Sequence, residues 1–233
     1  MLAAAACADQ TMPTSVEPHE ARPSLLTASG YSIIDLGTLP GGTMSRANDM
    51  NASEDVVGWG DIAGGSQRAF RWRRGDMKDL GTLPGFLDSR ANGINVLGTI
   101  VGSVSRTSEE RAVLWKPDGT LVDLGHLDTP GWTVATAVND KNVVVGFTLR
   151  DVGPPAMTMM RTHAFRMAAD GTKIGLGLTM DYSIANDINV RGIIAGAAGS
   201  PGSEHAYLWT SSGAGLDLGT LVGRGPKRTP SPM

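Results

Sequence analysis

The chain has 233 residues, of which 31 are Gly and 13 are Pro, and its formal net charge of −3 comes from 20 basic and 23 acidic residues. This many turn-forming residues indicates short elements joined by turns and excludes a mainly helical fold. The interspersed charges exclude a basic face for nucleic acid, and a single cysteine excludes an internal disulfide or a thiolate zinc site.

The N-terminal segment precedes the patterned part of the chain. A short apolar run ends at Cys7, which resembles the end of a bacterial lipoprotein signal, where the cysteine carries the lipid. Two interpretations of residues 1–29 stay open: a signal remnant anchored through Cys7, or a disordered linker. No run reaches the ~20 apolar residues of a membrane-spanning helix, so we predict no transmembrane segment.

A repeat occupies residues 31–221. The string Asp-Leu-Gly-Thr-Leu-Pro-Gly begins at residue 35 and again at 79, and shortened versions begin at 123, 175 and 217. The steps from 35 to 79 and from 79 to 123 are both 44 residues. We predict units of about 35–78, 79–122, 123–174 and 175–216, followed by a disordered tail at 222–233.

Two further markers keep the same register in every unit. One is an asparagine followed seven residues later by a glycine: Asn51 and Gly58, Asn95 and Gly102, Asn139 and Gly146, Asn189 and Gly196. The other is a short string that reads His163-Ala164-Phe165 in the third unit. These linked markers resemble the HAF repeat family, whose members are bacterial and typically extracellular. The resemblance implies a repeat architecture outside the cytoplasm, and it implies no catalytic residue.

The second unit shows how each one should form strands. Asn95 is predicted to begin a turn between the first and second strands, because Asn bonds the local backbone and tolerates left-handed angles. A β-branched strand follows at 98–102 and a third strand at 112–115. A Lys-Pro-Asp-Gly turn then leads to a fourth strand at 120–124. Four short strands in about 44 residues match one β-propeller blade.

We therefore predict an all-β, β-propeller-like fold of about four blades of four short antiparallel strands. A stacked β-solenoid is the alternative, although the hairpin turns favour antiparallel pairing. A surplus leading strand at residues 31–39 leaves two arrangements open, a closed ring and an incomplete one. An incomplete ring would self-associate through its open end blades. Large residues that end the third strands are predicted to be buried between blades: Trp72, Trp115 and Trp209.

Two irregular stretches and the histidines are the candidate sites in the sequence. Side chains that carry oxygen occupy alternate positions in residues 49–55, as they do in a calcium-binding loop. The stretch lacks the glycine at the sixth position and the distant bidentate glutamate of such a loop. An insertion at residues 151–160 carries three methionines, which suit copper(I) or an apolar contact; a surface insertion is the simpler interpretation. Histidines fall in a linker or at repeat positions: His19, His126, His163 and His205. We predict no catalytic, cofactor-binding or metal-binding residue.

The function expected from these features is a non-enzymatic repeat domain, extracellular or in the cell envelope. It would be a scaffold that presents loops to a carbohydrate or protein ligand. Two alternatives stay open: a structural spacer, and an enzyme with carboxylates gathered at a propeller axis. Fold analogy alone does not choose among these three.

Overall fold

The computed structural model describes residues 26–28, 31–126, 131–151 and 160–220, and every regular element in these ranges is a β-strand. The all-β class predicted from the Gly and Pro content is confirmed. The chain divides into two bodies, residues 1–37 and 38–233. The first holds β1 (Leu26–Ala28) and β2 (Tyr31–Ile33), which pair antiparallel. The leading strand predicted at 31–39 is therefore a strand only at its start.

The second body contains four repeats, each a meander in which consecutive strands pair antiparallel. Repeat 1 consists of β3 (Ser45–Met50), β4 (Val56–Asp61), β5 (Gln67–Arg73) and β6 (Asp76–Asp79). Repeat 2 consists of β7 (Asp88–Ile94), β8 (Ile100–Arg106), β9 (Glu109–Trp115) and β10 (Leu121–Gly125). Repeat 3 consists of β11 (Trp132–Val138), β12 (Val144–Asp151), β13 (Met160–Met167) and β14 (Lys173–Leu176). Repeat 4 consists of β15 (Tyr182–Ile188), β16 (Ile194–Gly199), β17 (His205–Trp209) and β18 (Gly215–Asp217).

Strand pairing differs from the prediction of four separate blades. Repeat 1 is a four-stranded sheet by itself, whereas repeats 2, 3 and 4 belong to one twelve-stranded sheet. Single parallel residue pairs join these three repeats: Trp132 with Glu110, and Thr162 with Tyr182. All other ladders in the described ranges are antiparallel, which argues against a parallel β-solenoid. The Asp-Leu-Gly string overlaps the last strand of each meander, so the predicted unit boundaries fall within these last strands and not between meanders.

The marker glycine of each repeat lies opposite a bulge in the first strand. In repeat 2, Gly102 pairs with Ala91, and the register of β7 shifts immediately after Ala91. A Cβ placed on Gly102 would lie 1.9 Å from the carbonyl oxygen of Arg90. A Cβ added to any of the other marker glycines would likewise lie 1.9–2.0 Å from a carbonyl oxygen of the first strand: Gly58, Gly146 and Gly196. The first hairpin of every repeat therefore depends on the absence of a side chain there.

Successive repeats pack face to face through three apolar clusters. Between repeats 1 and 2, Val57 of the second strand and Ala69 of the third pack with Ala91, Ile100 and Trp115 of the next repeat. We call the side that holds the Val and third-strand Ala the back face. The side that holds the first-strand Ala and the large residue ending the third strand is the front face. The back face of each of the first three repeats thus covers the front face of the next.

The position of a repeat in the series decides the burial of its tryptophan. Trp115 and Trp209 are each 1% exposed, as predicted for core residues. Trp72 is also mostly buried, as predicted, but it is less completely covered than the other two tryptophans. The reason is that Trp72 lies on the front face of repeat 1, and none of the four repeats precedes it.

Candidate functional site

The asparagine turns lie side by side at one end of the repeats and are bonded to one another. In repeat 2 the side-chain oxygen of Asn95 accepts hydrogen bonds from the N–H groups of Leu97, at 3.1 Å, and Thr99, at 2.9 Å. Its Nδ2 donates to the backbone carbonyl of Asn139 in repeat 3, at 3.0 Å. Asn51 donates to the Asn95 carbonyl at 3.1 Å, and Asn139 to the Asn189 carbonyl at 3.0 Å. The four asparagines thus occupy equivalent turns, as the sequence register predicted, and their bonds form a ladder between the repeats.

A second row of bonds runs parallel to the ladder, from the bulge residue of each first strand. Asn48 donates to the carbonyl of Ala91 at 2.8 Å, and Asn92 to that of Ala135 at 2.9 Å. In repeat 3 a threonine takes this place, and the Thr136 hydroxyl donates to the Ala185 carbonyl at 2.7 Å. Each junction between repeats therefore has two side-chain donors on the earlier repeat and two backbone acceptors on the later one.

Replacing Asn95 with Asp is expected to lower the free energy of unfolding by about 1–3 kcal/mol. The variant keeps the oxygen that caps the turn but loses the Nδ2 donor and places an oxygen against the Asn139 carbonyl in a buried site. Asn189→Asp is the matched control, because Asn189 is exposed and its Nδ2 has no acceptor among the described residues. Urea unfolding measures both variants, and equal losses would contradict a stabilising ladder.

The four turns surround one cavity, which we call the mouth. Its volume is about 240 Å³. Residues from all four repeats line it: Met50, Asn51, Ala52, Ile94, Asn95, Val96, Val138, Asn139, Asp140, Ile188 and Val190. Met50, Val96 and Val190 are 65%, 49% and 54% exposed. Exposed apolar side chains grouped at a concave surface are typical of a binding site, although the asparagine turns make the wall of this cavity largely polar.

A larger cavity, which we call the outer cleft, lies between repeats 2 and 3. Its volume is about 620 Å³, and Leu97, Leu114 and Met167 supply apolar lining while Lys116, Lys173 and Asp170 supply charge. Lys173 donates to the carbonyl oxygens of Leu124 and, at 2.9 Å, His126. Partial burial lowers the pKa of Lys173. Its ammonium group thus links the two repeats and is already engaged in that contact.

The candidate calcium loop at residues 49–55 uses its oxygens within the fold. The Asp55 carboxylate is 1% exposed and pairs with Arg71 at 2.5 Å and Arg73 at 2.9 Å. Asp49 accepts from the backbone N–H of Ile94 in repeat 2, at 2.9 Å. These contacts explain the alternating oxygens as parts of a turn, an ion-pair cluster and a junction. Among the residues that the structure describes, no three His, Cys, Asp or Glu side chains group as metal ligands do.

The three histidines in the described ranges do not come together. His163 is buried on β13, and His205 contacts the Asp217 carboxylate at 2.9 Å. His126 lies 3.3 Å from both Thr133 and Glu109. His19 and Cys7 lie outside the described residues, as do 152–159 of the methionine-bearing insertion. The described histidines thus occupy three separate structural contacts.

Glu109 carries the strongest electrostatic perturbation in this region. Hydrogen bonds, first from Arg111 and then from Arg106 and His126, lower the pKa of its carboxyl from 4.5 to about 2. The carboxylate contacts Arg111 at 2.5 Å and Arg106 at 2.5 Å. A carboxyl held ionised in this way is a poor proton donor at neutral pH. The cluster is therefore a surface ion-pair network.

Glu109→Gln is expected to change how stability depends on pH. Since the pKa of Glu109 is lower in the folded state, its contribution is fully present above about pH 4.5 and is lost as pH falls towards 2. The free energy of unfolding of the unmodified protein should exceed that of the variant at neutral pH, and the gap should close on acidification. Urea unfolding over this pH range measures the gap. A gap that does not depend on pH would contradict the ion-pair assignment.

The chain is similar in fold to proteins of known structure. No protein-family model and no curated protein matches the sequence. Among solved structures, TolB from Acinetobacter baumannii is similar, with a TM-score of 0.55 and 10% sequence identity over 75% of this chain. This chain spans 43% of the TolB chain. At this identity the likeness concerns the fold alone. Within the described ranges, no helix is long and apolar enough to cross a membrane.

Proposed function

We propose that the chain is a non-enzymatic binding scaffold in which the mouth holds an apolar segment of a protein partner. The observation that carries this proposal is the convergence of four equivalent turns on one cavity rimmed by exposed Met50, Val96 and Val190. The ladder of hydrogen bonds beneath the rim holds these side chains in fixed relative positions. A preformed apolar rim binds at a small ordering cost.

The proposal extends to architecture, family and location. The four meanders, their face-to-face packing and the likeness to TolB, which contains a β-propeller, support an incomplete propeller. The linked sequence markers support membership of the HAF repeat family, with its extracellular or envelope location. The ordinary structural roles of the three described histidines and of Glu109 support a protein without an enzymatic centre. A protein ligand is favoured over a carbohydrate because the rim residues that the structure describes are aliphatic and include none of the aromatic rings on which sugars stack.

The test uses two neighbouring residues of one turn. Val96 lines the mouth and Leu97, 56% exposed, lines the outer cleft. We would screen the purified chain against a panel of apolar-rich peptides and a panel of glycans, and then titrate any hit against Val96→Glu and Leu97→Glu. Both changes add one charge at an exposed apolar position, so they are matched.

The expected result is peptide binding that Val96→Glu weakens at least tenfold and Leu97→Glu leaves unchanged. The reverse pattern would assign binding to the outer cleft and overturn the proposal for the mouth. Glycan binding without peptide binding would overturn the partner class. An absence of binding in both panels would favour the structural spacer.

A further inference from the structure

The two ends of the repeat series are uncovered in a complementary way. In the first three repeats the back-face positions are fully buried by the next repeat: Val57, Val101 and Val145 on second strands, and Ala69, Ala112 and Ala164 on third strands. In repeat 4 the equivalent residues, Ala195 and Ala206, are exposed. Leu218, equivalent to the buried Leu176, is 44% exposed. Repeat 4 thus presents the surface that every earlier repeat uses to bind a following one.

The polar part of this junction is also present and unused on repeat 4. Asn189 and Asn186 occupy the positions from which Asn139 and Thr136 donate to repeat 4. Both asparagines are exposed, and neither side-chain amide donates to another described residue. Two donors at the spacing of an established junction therefore lie beside the uncovered apolar surface.

Repeat 1 presents the other half of the junction. Ala47 is exposed, whereas its equivalents Ala91, Ala135 and Ala185 are all 0% exposed. In those repeats the carbonyl of this alanine accepts a hydrogen bond from the bulge residue of the repeat before it. No side chain among the described residues donates to the carbonyls of Ala47 or Asn51. The front face of repeat 1 is therefore uncovered at Ala47 and partly covered at Trp72, although Phe70 on the same face is buried, and it carries the acceptors that repeat 4 would need.

We infer that the back face of repeat 4 binds the front face of repeat 1 of a second copy of this chain. The contact reproduces the three internal junctions, with Asn186 and Asn189 donating to the carbonyls of Ala47 and Asn51. It is a head-to-tail contact between different surfaces, so it generates a ring if the rotation closes and a filament if it does not. The inference does not rest on what the mouth binds, although one of its acceptors, Asn51, also lines the mouth.

Two single variants of the full chain test this contact. Ala206→Arg blocks the back face of repeat 4 and leaves repeat 1 free, while Ala47→Arg does the reverse. Both residues are exposed, so each variant is expected to fold, and circular dichroism and thermal unfolding check this. The expected result by light scattering is association of the unmodified chain with increasing concentration, loss of association in each variant alone, and a dimer in their equimolar mixture. The mixture stops at a dimer because each partner contributes its one unblocked face.

A milder variant tests the hydrogen bonds. Asn186→Asp with Asn189→Asp should weaken association about tenfold or more, since two hydrogen bonds across the contact are lost. Leu97→Arg, which lies on neither end face, should leave association unchanged. The inference is overturned if the unmodified chain is monomeric at every concentration, if either arginine variant still associates alone, or if their mixture stays monomeric.

Discussion

Replacing Gly102 with Ala is expected to lower the free energy of unfolding by about 3 kcal/mol or more. The added Cβ would lie 1.9 Å from the carbonyl oxygen of Arg90, and overpacking of a rigid site typically costs about 1–3 kcal/mol. Here the opposing atom is backbone, held by the first hairpin of repeat 2, so it cannot move aside as a side chain would. The hairpin must open or the bulge must shift.

Gly119→Ala is the control for the conformational part of this loss. Gly119 lies in a turn at φ +90°, and a Cβ added there would have nothing within 4 Å of it. An alanine at this position therefore suffers only the left-handed strain of about 1–2 kcal/mol. Chemical unfolding of both variants measures the difference. A Gly102→Ala variant that is no less stable than Gly119→Ala would contradict the close approach of β8 to the bulge.

Replacing Trp115 with Ala is expected to cost about 3–5 kcal/mol. Trp115 is 1% exposed at the junction of repeats 1 and 2, and its Nε1 donates to the Leu80 carbonyl at 2.9 Å. The variant loses the buried ring area, leaves a cavity and removes a partner from that carbonyl. Because the ring lies between two repeats, its removal should also make the unfolding of these two repeats less cooperative.

Trp72→Ala provides the comparison, since Trp72 has the same place in its repeat but is less completely buried. We expect a smaller loss than for Trp115→Ala, because folding removes less of the Trp72 ring from water. Equal losses would show that the front face of repeat 1 is covered in solution. Equal losses are also expected at concentrations where a second copy covers the front face of repeat 1. Both tryptophan variants are therefore compared in a chain that also carries Ala206→Arg, which blocks this association.

The elements within a repeat could be predicted from sequence because their signals are local. Asn95 marked a turn since asparagine bonds the backbone two to four residues on, and the structure places it there. The spacing from Asn95 to Gly102 likewise marked a fixed hairpin. The sequence could not show why Gly102 must be glycine, because the atom that excludes a Cβ belongs to the preceding strand.

Relations between repeats were harder to predict because they depend on neighbours and not on the residue itself. Trp72 and Trp115 carry the same local pattern, yet only Trp115 has a preceding repeat to bury it. The ladder had one signal in the sequence, the 44-residue step from Asn51 to Asn95, but periodicity does not reveal which group donates. Similarly, the oxygens of residues 49–55 suggested a loop for calcium because their arginine partners, Arg71 and Arg73, lie on another strand.

Every bond of the asparagine ladder points the same way, from the side chain of an earlier repeat to the backbone of a later one. The series is therefore polar, and its internal modules are interchangeable in principle, since each presents donors on one side and acceptors on the other. Duplication or loss of a whole module by recombination would leave matched surfaces at the new junction. The number of modules can thus change during evolution without a redesign of the contacts that hold them.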